Sequence, residues 1–145
     1  MKIDSGWSVA TGADNGMPLI FRIRNSAPPY ATKADFPHLL AICWKYDATC
    51  NNGMPLPEEV KRMTELEDLL ESGIEKVEQA FLTAIVTGNG VREWQWYARD
   101  PKKLMELVNQ TLGELEPFPV QFSFQHDPEW EGYNGFLEIS DIELV

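Results

Sequence analysis

The sequence predicts an α+β domain on the ferredoxin-like split βαβ plan: an antiparallel sheet with two helices on one face, plus extra N-terminal strands. Three observations predict it. From residue 38 to 125 the apolar patterns run strand, helix, strand, strand, helix, strand. Asn89-Gly90 separates two β-rich runs, and this dipeptide favours the positive φ angles of a two-residue type I′ hairpin. An apolar stripe with helical spacing follows Pro57. The 145 residues read as a single domain over 1–145, divided into an N-terminal strand extension (1–30), the core (38–125) and an acidic tail (126–145). A chain of this length buries enough surface to fold without a disulfide or a metal.

Each element has its own reason. Pro18 to Arg24 alternates and is closed by Pro28 and Pro29, so it reads as a strand and then a loop. Trp7 to Ala10 pairs with it as a short strand across the Gly12–Gly16 turn region. Leu39 to Tyr46 is rich in bulky apolar residues and reads as a strand. Pro57 suits a first helical turn, and Glu58 and Glu59 oppose the positive end of the helix dipole. Val60, Met63, Leu66, Leu70, Ile74, Val77 and Phe81 fall on one stripe, with Gly73 as a weak point where a bend is expected.

Phe81 to Gly88 and Val91 to Ala98 form the hairpin arms. A two-residue turn places Thr87 opposite Arg92, Ile85 opposite Trp94, Thr83 opposite Trp96 and Phe81 opposite Ala98; Leu82 then faces Tyr97 on the other side. Asp100 and Pro101 open a second helix, whose stripe is Leu104, Val108, Leu112 and Leu115. Val120 to Phe124 is a strand, and Gly135 to Leu144 is expected to add an edge strand. Both faces of the hairpin are apolar, and the helices cover one. The face with Trp94 and Trp96 is expected to be the other, met by the N-terminal segment, the tail or another chain.

Charge narrows the function classes. Twelve basic and 23 acidic residues give a net charge of −11. This opposes binding to nucleic-acid phosphates or to anionic lipid, both of which need lysine and arginine. The acids are concentrated: residues 57–79 hold eight against three bases, and residues 127–145 hold six and no base. One flank of the molecule is therefore expected to attract a cationic partner. No run approaches 18 apolar residues, and the first residues lack a signal peptide's apolar stretch, so a cytoplasmic location is expected.

The motifs in the chain exclude more chemistry than they assign. His38 and His126 lie far apart, and no Cys-x-x-Cys or His-x-x-x-His spacing occurs, so no metal is expected. Thr87-Gly-Asn-Gly lies between strands and lacks a phosphate loop's ending, so no nucleotide or other cofactor is expected. Cys43 reads as a buried strand thiol and Cys50 as an exposed one, and no serine–histidine–acid grouping emerges. His126-Asp127-Pro128 reads as a strand exit, with Asp127 turning the chain.

The segments MPLIFRIR (17–24), HLLAICWKYD (38–47), GMP (53–55), MTELEDLLE (63–71), TGNGVREWQWYARD (87–100) and DPEW with Tyr133 resemble the family known as domain of unknown function 695. Gly88, Gly90, Arg92, Glu93, Trp94, Tyr97 and Asp100 carry the most specific part of the likeness. The resemblance implies a bacterial, cytoplasmic protein and brings no assigned catalytic residue. Some members carry this domain beside one similar to regulators of ribonuclease E activity, which are acidic, ferredoxin-like and inhibit by binding.

The expectation is a non-enzymatic, acidic protein-binding domain, an inhibitor or immunity-type regulator of a basic partner. A second copy of the chain is a further expected partner. The expected contact surface is Arg22, Arg24, Trp44, Arg92, Glu93, Trp94, Trp96 and Tyr97. The alternative is a small-molecule-binding or hydrolytic enzyme with a pocket near Arg92, Glu93 and Trp94.

Overall fold

At Asn89-Gly90 the backbone turns with φ of 50° and 85°, joining β5 (Ala80–Gly88) to β6 (Val91–Ala98) as a type I′ hairpin. The computed structural model describes residues 2–3 and 6–144. Near the turn the pairs are those expected, Thr87 with Arg92 and Ile85 with Trp94. Beyond Ala84 the register slips by one, so Leu82 faces Trp96, Phe81 faces Tyr97 and Ala80 faces Ala98. The expected pairs Thr83–Trp96, Leu82–Tyr97 and Phe81–Ala98 do not form. Thr83 is bulged out, and its hydroxyl donates to the Gln95 carbonyl at 2.9 Å. Without the slip Thr83 would lie against the helices and Leu82 on the far side; the bulge places Leu82 beside Ile85 and Trp94.

The described residues form a seven-stranded antiparallel sheet. Its other strands are β1 (Lys2–Ile3), β2 (Trp7–Asp14), β3 (Met17–Arg24), β4 (His38–Lys45) and β7 (Val120–His126). The order is β1-β2-β3-β5-β6-β4-β7, so the N-terminal strands extend the sheet through the β3–β5 pairing. β2 is longer than Trp7 to Ala10. It runs to Asp14 because a second Asn-Gly pair, Asn15-Gly16 (φ of 51° and 79°), closes its hairpin with β3.

Helices α1 (Pro57–Leu70) and α2 (Pro101–Leu112) lie on one face. The Asp100 carboxylate accepts from the Lys102 N–H at 3.0 Å, which satisfies a donor at the start of α2. At Gly73, where a bend is expected, α1 passes into a π-turn over Glu71–Glu75, with the Lys76 N–H donating to the Glu71 carbonyl at 2.9 Å. A Cβ at Gly73 would lie 2.2 Å from Thr111 Oγ1, so glycine is what lets α2 approach. The stripe is real from Met63 to Ile74, but Val77 is 51% exposed and Phe81 belongs to β5. The π-turn rotates the chain away from the core. Leu115 likewise lies beyond the end of α2 and is 46% exposed.

The tryptophan face is the one the helices cover, which corrects the expectation. Trp44, Trp94 and Trp96 are fully buried with Leu40, Ile42 and Leu82 against Met63, Leu66, Leu70, Leu104 and Val108. The opposite face carries Ile23, Leu39, Phe81 and Tyr97 and is covered from within the chain. Its cover is Phe36 and neighbouring loop residues, together with α3 (Glu131–Leu144).

The expected edge strand at 135–144 is therefore a helix. Trp130, Tyr133, Phe136 and Leu137 recur at helical spacing and pack on the sheet. The Asp127 carboxylate accepts from the Glu131 N–H at 2.9 Å and the Gly132 N–H at 3.0 Å, opposing the positive end of α3. Tyr97 donates its hydroxyl to the same carboxylate at 2.6 Å. The Trp130 indole N–H donates to the Phe36 carbonyl at 2.8 Å, tying the two parts of this cover together.

Candidate functional site

The two flanks of α1 carry different chemistry, and each borders a depression. The outer flank, with Arg62, Glu65, Asp68, Leu69 and Ser72, faces the segment that leaves α2, where Leu115, Glu116 and Phe118 line the other wall. Together they enclose a groove of about 560 Å³, within the range of ligand sites. Its shape follows from Pro117 and Pro119, which forbid helix continuation and hold this segment extended between α2 and β7. The Arg62 guanidinium lies 4.8 Å from the Phe118 ring centre and 6.0 Å from that of Trp44, so its charge rests on aromatic faces. Glu65, Asp68 and Glu116 leave the groove with a negative balance around an apolar floor.

The inner flank borders the sheet. Trp44 Nε1 donates to Glu59 at 2.9 Å and Trp94 Nε1 donates to Glu67 at 3.0 Å, so two carboxylates of α1 hold two buried indoles. Glu75, delivered by the π-turn, accepts from the Leu82 N–H at 2.8 Å. Arg24 donates to Glu75 at 3.2 Å and to the Leu82 carbonyl at 3.3 Å. This pair thereby satisfies backbone groups beside the bulge. Arg22 lies 3.6 Å from Glu67 and 5.6 Å from the Trp7 ring centre. A cleft of about 150 Å³ opens here, with Trp96 among its walls.

Strand alternation divides the expected surface residues. Arg22, Arg24, Trp44, Arg92, Trp94 and Trp96 share the helix face, and the three tryptophans are buried rather than available to a partner. Arg92 donates to Thr87 at 2.9 Å and lies 5.9 Å from the Trp94 ring centre; burial pulls its pKa below the ordinary value. Glu93 and Tyr97 are on the opposite face, so Arg92 and Glu93 do not line one pocket. Glu93 accepts from the Cys43 thiol at 3.1 Å and from Gln95 at 2.6 Å. Burial and this carboxylate push the Cys43 thiol up to about 11. Burial, then the Asp127 carboxylate, raises the Tyr97 hydroxyl, while burial pushes Tyr133 up to about 12.

The sequence points to Glu59 only as a helix-dipole partner and to Leu115 only as part of a helical stripe, and it singles out neither Glu75 nor Phe118. The acids at 59, 67, 71 and 75 recur at multiples of four, which was a legible sign of one helical flank. No sequence signal places Leu115 and Phe118 at a groove, because that role depends on how the segment after α2 packs. His38 and His126, far apart in sequence, are cross-strand neighbours with ring centres 5.5 Å apart. Among the described residues no group of three potential metal ligands occurs, and no helix is long and apolar enough to cross a membrane.

No curated protein and no solved structure matched the chain. A family model does match, over residues 5–138, a span that takes in both flanks of α1, the Asn89-Gly90 hairpin and the Asp127–Tyr133 lock. The chain thus belongs to DUF695, a family of unknown function.

Proposed function

We propose that the protein is a non-enzymatic, acidic binding domain whose groove beside α1 receives a basic segment of a protein partner. The observation that carries this reading is the pairing of an exposed apolar residue, Leu115, with Glu65, Asp68 and Glu116 around one groove. An apolar anchor with flanking cations on the partner would match it, burying the anchor and steering the approach. The net charge of −11 adds long-range attraction for such a partner. Inhibition by occupying a basic active surface fits this chemistry, and we place the protein in the cytoplasm. We also read the core as ferredoxin-like; the support is the order β5-β6-β4-β7 with α1 and α2 on one face.

The test is affinity capture from a bacterial extract with the wild-type chain and with the double variant Glu65→Lys/Asp68→Lys. Reversing two exposed charges should weaken the complex roughly tenfold. The reading expects a basic protein retained by the wild type, released as salt rises, and lost with the variant. Equal retention by both proteins, or capture of nothing, would refute it.

A further inference from the structure

From the 150 Å³ cleft on the inner flank of α1, we propose a binding site for a small zwitterion, a free amino acid with a short side chain. The site lies on the opposite flank from the acidic groove and does not depend on it. One buried donor at the cleft is unmatched, and beside it stand a loosely held arginine and an exposed glutamate. Trp96 is 1% exposed, yet its Nε1–H has no acceptor, whereas Trp44 and Trp94 each donate to a carboxylate of α1. A buried donor left unmatched costs about 1–3 kcal/mol, which an incoming acceptor recovers. Arg22 makes no side-chain hydrogen bond among the described residues; it only approaches Glu67 at 3.6 Å and stacks beside Trp7. Glu71, at the start of the π-turn, has neither a hydrogen bond nor an ion pair through its side chain there.

These three groups define the ligand. The Trp96 N–H and the Arg22 fork both donate, and a carboxylate accepts from both. Glu71 is a free acceptor with negative charge, and an ammonium group answers it. Arg24 is already engaged by Glu75 and Leu82, so it contributes field rather than a new bond. The two arginines and three glutamates of the lining leave one net negative charge, which disfavours a phosphate or other polyanion. Size sets the last limit: about 150 Å³ admits a molecule of roughly benzene's bulk, so small amino acids fit and aromatic ones do not.

The experiment follows the indole N–H resonances of the five tryptophans in 15N-labelled protein, with Trp96 assigned through Trp96→Phe. Glycine, L-alanine, L-serine and L-threonine are titrated, with acetate and methylammonium as single-charge controls. The proposal expects a saturable shift of the Trp96 resonance with at least one amino acid at millimolar concentration. It also expects affinity at least about tenfold weaker for both single-charge controls. Glu71→Gln, a change at an exposed position, should lower amino-acid affinity about tenfold without altering the melting temperature, and Arg22→Gln should do the same to affinity. Absence of any saturable shift with the four amino acids would overturn the proposal. So would acetate binding as tightly as they do, or binding unchanged in both variants.

Discussion

Cys43 is half-buried and hydrogen-bonded, not fully buried as expected, whereas Cys50 is exposed. Cys43 lies on β4 with its thiol donating to Glu93, and burial beside that carboxylate holds it in the unreactive protonated form at neutral pH. Cys50 is exposed in the loop before α1. A thiol-reactive chromophore should therefore label one site per folded chain rapidly at pH 7.5 and the second only on unfolding. Rapid labelling of both would show that Cys43 is not held as described. Asp127 makes a second residue-scale argument. Burial alone would raise its pKa, but hydrogen bonds from Tyr97, Gly132 and Glu131 outweigh burial and lower it. A carboxyl depressed on folding stabilises the native state above its unfolded pKa of about 3.9, and that contribution is lost as pH falls through the lower folded value. Asp127→Asn should cost about 1–3 kcal/mol at pH 7, and the gap in melting temperature from the wild type should close below about pH 4. A gap that stays constant from pH 7 to pH 3 would contradict this account. Gly90 has φ of 85°, and a Cβ there would sit 3.0 Å from Ala48 Cβ; Gly90→Val should lower the melting temperature markedly.

At the scale of elements, the π-turn and the bulge act together. The turn over 71–75 brings Glu75 to the Leu82 N–H that lies next to the bulge, and Arg24 closes the set by binding both Glu75 and the Leu82 carbonyl. Glu75→Gln keeps size but removes the charge, and should destabilise the fold by about 1–2 kcal/mol in chemical denaturation. A change within error would mean that a neutral amide oxygen serves the Leu82 N–H and Arg24 as well as the carboxylate does. The hairpin was legible because Asn89-Gly90 requires positive φ and its arms are rich in β-formers. The bulge was not legible, since Ala80 to Val86 is apolar or small at both parities and periodicity cannot register a one-residue slip. Helix α3 was hidden by Gly132, Asn134 and Gly135, which lower local helix propensity. Packing of Trp130, Tyr133 and Phe136 on the sheet outweighs that cost. The groove escaped the sequence altogether, because it exists only where the segment after α2 meets α1.

For the whole molecule, internal cover of both sheet faces moves the proposed interaction surface away from the tryptophans. Trp44, Trp94 and Trp96 are buried under α1 and α2, and Tyr97 is buried under α3, while the outer layer of the helices is exposed and charged. The excess of acids over bases in residues 57–79 is the signature of that layer in the sequence alone. Which part of α1 borders a groove was not readable, because only the folded chain sets Phe118 beside Arg62. The most direct test is to map where a cation docks. A lysine- and leucine-rich peptide titrated into 15N-labelled protein should shift backbone amides of residues 62–72 and 114–118 saturably, with those shifts fading as salt rises. Shifts scattered over all acidic surfaces without saturation, or centred on the β2–β3 edge, would contradict a groove built for a basic partner.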